Sequence, residues 1–254
     1  MKKLLAITAL SAALFFGQTA AAEEKAAEEV KPSHVEMVLV LDESGSMSNL
    51  TNDTIGGFNS MIEKEKKLDV DAHVTTVLFN DQYKMLYNRR ELKDVRKMTD
   101  KDYTPGGMTA LLDAVGRTIH KMDMVSGIHR KDKGNKVLFV IITDGEENDS
   151  KEYTYADVKK LIKDRQENAG WEFIFLGANI DAAAAAENLG IDRDRAVKYK
   201  NTGSGVRANF KAVAELSDSL AKSGRVSDRW KETVEKDEDD AADKQSAAVT
   251  SHRR

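Results

Sequence analysis

Apolar residues fall along this chain in two alternating rhythms. Residues 35–41 (VEMVLVL) make a nearly continuous apolar run followed by turn-forming residues, the pattern of a strand buried on both faces. Residues 137–142 (VLFVII) and 173–176 (FIFL) repeat it. Residues 72–79 and 82–87, with Asn80-Asp81 between them, read as a hairpin, and 196–199 as a short last strand. Between these lie stretches with helical spacing. The first carries Ile55, Phe58 and Ile62; the second Leu111, Ala114, Val115, Thr118, Ile119 and Met122. Val158, Leu161 and Ile162 mark a third, residues 182–189 a fourth, and Phe210, Val213, Leu216 and Leu220 a fifth.

Strands alternating with helices predict an α/β fold: a doubly wound, Rossmann-like, mostly parallel sheet with helices on both faces. The hairpin adds one antiparallel strand, expected at an edge. Outside this pattern the ends differ. Met1-Lys2-Lys3 is a basic start, residues 4–16 are almost purely apolar, and Thr19-Ala20-Ala21-Ala22 offers small residues in an Ala-x-Ala arrangement. That layout predicts a signal peptide over 1–22 and an exported protein, periplasmic or secreted. The apolar stretch is shorter than the roughly 18–20 residues that span a bilayer, so no membrane span is expected after cleavage. Residues 23–34 read as a linker, 35–224 as the folded domain, and 225–254 as a charged tail that lacks apolar periodicity and is expected to be disordered.

Composition narrows the chemistry. The 254 residues suit one sizeable α/β domain with appendages. There is no cysteine, which removes disulfides, thiolate metal sites and cysteine catalysis. A net charge of -4 with interspersed signs gives nucleic-acid binding no support. The five histidines are scattered without metal-ligand spacing.

In open parallel sheets ligands bind beyond the carboxyl ends of the strands. The first strand runs into Asp42-Glu43-Ser44-Gly45-Ser46, and the VLFVII strand into Thr143-Asp144-Gly145. Thr104-Pro105-Gly106-Gly107-Met108-Thr109 leads into the second helix. Two carboxylates and three hydroxyls, Asp42, Ser44, Ser46, Thr109 and Asp144, form a hard oxygen set suited to Mg²⁺, Mn²⁺ or Ca²⁺. Helix capping and turn formation explain each segment singly, but not their convergence on one sheet edge.

These three motifs, Asp42-x-Ser44-x-Ser46, Gly-Gly-x-Thr109 and Thr-Asp144-Gly, resemble a von Willebrand factor type A (VWA) domain with a complete metal-ion-dependent adhesion site. The resemblance covers residues 35–224. It implies direct coordination by Ser44 and Ser46, direct or water-mediated contact from Thr109 and Asp144, and a largely water-mediated role for Asp42. It also implies a protein partner presenting Asp or Glu to complete the coordination, in adhesion or complex assembly. Catalysis is not expected: Gly-x-Ser-x-Gly and Ser-x-x-Lys are absent, and no histidine falls in a strand-end loop. A metal-assisted hydrolase and a metal-independent scaffold are the alternatives on the same fold.

Overall fold

The first strand, β1 (Val35–Asp42), is buried over its whole length. Its alternate residues serve two separate cores: Val35, Met37, Leu39 and Leu41 face one, Val38 and Val40 the other. That division sets the architecture, shown here by a computed structural model in which residues 34–125, 135–227 and 229–237 are described. The expected signal peptide, all of the linker except His34, and residues 238–254 of the expected tail lie outside the described residues.

After β1 come α1 (Thr51–Lys67), β2 (Ala72–Phe79), β3 (Tyr83–Glu91), α2 (Leu111–Asp123), β4 (Lys136–Thr143), α3 (Tyr155–Asp164), β5 (Glu172–Gly177), α4 (Ala182–Leu189), β6 (Ala196–Lys198) and α5 (Gly203–Ser223). The six-stranded sheet has the order β3-β2-β1-β4-β5-β6. All pairings are parallel except β2–β3, so the hairpin supplies the expected antiparallel edge. Helices α1 and α5 pack on one face through Phe58, Met61, Phe210 and Leu216. Helices α2, α3 and α4 cover the other through Val115, Ile119, Val158, Ile162 and Leu189. Gly57 lets the first pair approach: a Cβ there would stand 2.5 Å from the Phe210 ring. The neighbouring Gly56 faces open space.

Two boundaries differ from the sequence expectation. Strand β3 runs on through Asn88, Arg89, Arg90 and Glu91, polar residues that an exposed edge strand carries readily. The folded domain also continues past Gly224. Val226, Trp230 and Val234 are buried at 7%, 2% and 1% exposure in the α1/α5 core, and residues 232–237 form a helical segment. They are spaced four apart among charged neighbours, and only Val234 lies within the helical segment.

Candidate metal centre

In the order β3-β2-β1-β4-β5-β6 the winding direction reverses between β1 and β4, and the crevice of such a sheet opens beyond the ends of those two strands. Asp42 ends β1, and Asp144 follows β4 directly. The two loops are joined side chain to side chain. Ser46 Oγ donates to Asp144 Oδ1 at 2.5 Å, Ser44 Oγ lies 3.1 Å from Ser46 Oγ, and Thr143 Oγ1 donates to Asp42 Oδ2 at 2.6 Å. Asp42 Oδ1 also accepts the Ser44 N–H at 2.7 Å, closing the turn on itself.

The third loop is held against these two by its backbone. Gly106 N–H donates to Glu43 O at 2.9 Å, and Gly45 N–H to Gly107 O at 3.2 Å. Gly107 has φ +76° and sits against Asp81, where a Cβ would be both strained and blocked. Thr109 is fixed reciprocally: its N–H donates to Asn148 Oδ1 at 2.8 Å, and Asn148 N–H to Thr109 O at 3.0 Å. Its hydroxyl faces the Asp144 turn, since a Cβ on Gly145 would lie 3.9 Å from Thr109 Oγ1. All five sequence-predicted residues thus meet at one edge of the sheet.

Electrostatically this edge is lopsided. Asp42 and Asp144 are 1% and 2% exposed, yet neither has an ion-pair partner among the described residues. Burial raises the Asp42 carboxyl above its usual range; hydrogen bonds from Ser44 and Thr143 pull it back, and the Asp144 charge adds to the rise. Tyr199 OH and Asn201 Oδ1 are buried without a hydrogen-bond partner among the described residues. Burial, reinforced by Asp144 and Asp42, keeps the Tyr199 phenol neutral. Buried carboxylates ordinarily have a cationic partner, and oxygen-only donors fit a hard divalent ion. The residues present therefore fit Mg²⁺, Mn²⁺ or Ca²⁺.

Further residues brace this edge, and Asn201 and Tyr103 among them were not legible in the sequence. Asn201 Nδ2 donates to Asp144 Oδ2 at 3.0 Å and Asn179 Nδ2 to Asp144 O at 3.3 Å. Tyr103 OH donates to Asp42 O at 2.7 Å. Glu43 accepts from Thr104 N–H and from Lys84 Nζ at 3.3 Å, so it ties loops together. Glu147 accepts the Leu112 N–H at 2.9 Å and two donors of Ser150, bracing the start of α2. Asp181 caps α4, accepting the Ala184 N–H at 3.0 Å.

A family profile described as vWA found in the TerF C terminus matches residues 34–190. The chain belongs to this vWA-TerF-like family. A comparison with curated proteins gives no match. Among solved structures, this vWA chain is similar to the vWF domain of the type V pili tip protein Mfa5 from Porphyromonas gingivalis: 12% identity, 78% of this chain and 99% of that one, TM-score 0.55. It is similar to the pilus adhesin SpaC from Lactobacillus rhamnosus GG in its open conformation, with 14% identity, 76% and 31% coverage, and TM-score 0.59. The PilB minor pilin from Streptococcus sanguinis gives 12% identity, 73% and 61% coverage, and TM-score 0.54. The chain thus spans less than two thirds of the PilB structure and under a third of SpaC. At these identities the likeness is one of fold.

Proposed function

We propose that this vWA domain is an exported, non-catalytic binding module that grips a protein partner through a divalent cation held by Asp42, Ser44, Ser46, Thr109 and Asp144. The observation that carries the reading is the pair of buried carboxylates, Asp42 and Asp144, with no cationic partner among the described residues. A bound Mg²⁺, Mn²⁺ or Ca²⁺ supplies charge compensation and a coordination position for a partner's Asp or Glu oxygen. Ser44, Ser46 and Thr109 are neutral donors, so with only two carboxylates in the set the ion keeps the Lewis acidity to take up such a ligand. Asn201 and Asn179 hold Asp144 in place, and Tyr103 and Thr143 hold the Asp42 turn. Similarity to domains of a pilus adhesin, a pilus tip protein and a minor pilin supports adhesion or assembly at the cell surface, in keeping with the N-terminal signal pattern.

The test is thermal unfolding of the full chain in chelator and in excess Mg²⁺ or Mn²⁺. At a hundredfold excess over Kd the ion should add about 2.7 kcal/mol, a Tm rise of roughly 5–10 °C. Asp144→Ala should abolish the rise and, in a metal-dependent pulldown, the captured partner. An equal Tm for wild type with and without either ion sinks the reading.

A further inference from the structure

The opposite end of the sheet groups side chains that lie far apart in the chain. His34 stands just before β1, Glu36 is the second residue of β1, and His73 the second of β2; parallel register sets Glu36 beside His73. His34 Nε2 lies 2.8 Å from His73 Nδ1 and 3.3 Å from Glu36 Oε1, and His73 Nδ1 lies 3.2 Å from Glu36 Oε1. His34 Nδ1 lies 2.9 Å from Asp71 Oδ1; when His34 is neutral with its proton on Nδ1, donated to Asp71, Nε2 presents its lone pair inward, whereas the protonated ring donates from Nε2 to Glu36. Glu36 is buried, while both imidazoles border an open cleft of about 460 Å³ whose wall carries Asp69, Asp71 and Glu91.

Two imidazole nitrogens and a carboxylate oxygen thus converge on one point, and each offers a lone pair once both rings are neutral and carry their protons on the outer nitrogens. Hydrogen bonding satisfies the group only if a proton sits between the imidazoles and Arg89 supplies charge from the side. Arg89 Nε donates to Glu36 Oε2 at 3.0 Å, and Nη2 contacts Glu36 Oε1 and, at 3.2 Å, His73 Nδ1. Arg89 lies on the edge strand with its backbone at φ 45°, and its side chain is partly exposed. It can therefore keep its bond to Oε2 while Nη2 withdraws from Oε1.

We propose that His34 Nε2, His73 Nδ1 and Glu36 Oε1 form a second cation site, for one borderline transition-metal ion of the Zn²⁺ type, with its fourth position open to the cleft. A nitrogen-rich set of this kind favours Zn²⁺, Co²⁺ or Ni²⁺ over Mg²⁺. Tetrahedral ligands about 2.0–2.1 Å from zinc stand about 3.3 Å apart, close to two of the three separations here. The third, the 2.8 Å imidazole contact, opens by about half an ångström when a metal replaces the shared proton. Glu36 and Asp42 lie six residue steps apart along β1, on the order of 20 Å, so the two sites are independent.

The test titrates Zn²⁺ by calorimetry into the tag-free full chain, stripped with chelator and held in excess Mg²⁺ to occupy the Asp42/Asp144 edge. Wild type and Asp144→Ala are expected to bind one equivalent, and Co²⁺ to give the visible absorption of a tetrahedral site. His34→Gln and His73→Gln, checked for folding by circular dichroism, are expected to bind roughly tenfold more weakly or worse. Arg89→Gln removes the competing cation and should bind several-fold more tightly, a gain that misfolding does not produce. No Zn²⁺ binding by wild type, unchanged affinity in His73→Gln, or loss in Asp144→Ala overturns the site.

Discussion

Asp42 accepts from two neutral donors, the Ser44 N–H and the Thr143 hydroxyl, one on each carboxylate oxygen, and its charge has no cationic partner among the described residues. Removing that charge should therefore have opposite effects in two conditions. Asp42→Asn keeps the shape while relieving repulsion from Asp144, so in chelator its Tm should equal or exceed that of wild type. In saturating Mg²⁺ or Mn²⁺ it should fall below, by most of the ligand-linked stabilisation of about 2–3 kcal/mol. Paired calorimetric scans check both signs, and a variant less stable than wild type by the same amount in both conditions would mean that Asp42 serves packing only. At this scale the residues legible in the sequence were those whose place follows from a neighbouring strand. Asp42, Ser44, Ser46 and Asp144 follow apolar runs directly. Asn201 comes 57 residues after Asp144 in an ordinary polar loop, and its contact exists only because β5 and β6 stack in parallel register. His34 and His73 are likewise 39 residues apart, and only β1–β2 register unites them.

Between elements, the α1–α5 contact carries a buried ionisable group that the helical spacing gave no hint of. Glu65 is fully buried, accepts from Ser217 Oγ at 2.7 Å, and has its other oxygen unpartnered among the described residues. Burial pushes its carboxyl up to about 7, against the pull of the Ser217 hydroxyl. A raised carboxyl binds its proton more tightly folded than unfolded. Its contribution is thus fully present below pH 4.5 and lost as pH rises through about 7, a drop of about 3 kcal/mol. Glu65→Gln should remove this slope and leave the protein more stable than wild type at pH 8, as urea unfolding at pH 5 and pH 8 would read directly. Glu36 works in the opposite sense. Burial raises it, but hydrogen bonds from His34 and Arg89 prevail and hold it at about 2, so its stabilisation stands above pH 4.5 and is lost as pH falls toward 2. The elements themselves were legible wherever both faces are apolar. The last residues of β3 were not, because an edge strand takes its polar side chains from solvent and its pairing from β2.

For the molecule as a whole, the decisive question is where the domain ends. The charged stretch after Gly224 was expected to stand free, yet Trp230 and Val234 complete the core over α1 and α5. Trp230 also donates its Nε1–H to Asp194 O at 3.3 Å, linking this segment to the turn before β6. Large-to-small replacement of a buried aromatic costs about 3–5 kcal/mol, because the cavity collapses only in part. Trp230→Ala should therefore lower Tm by roughly 6–20 °C. Ending the chain after Asp237 keeps all three buried residues and should leave stability unchanged, whereas ending it after Gly224 should cost at least as much as Trp230→Ala. Residues 225–237 carry four basic and four acidic side chains, so the two truncated chains have equal net charge and the comparison reads chiefly the loss of the apolar residues. Equal melting of the two truncated chains would show that the segment rests on the core without supporting it. Because α5 follows β6 and the Asn201 loop, a loosened α5 should also weaken divalent-ion affinity at Asp144, and the chain ended after Gly224 should show a smaller Mg²⁺-dependent Tm rise than the chain ended after Asp237.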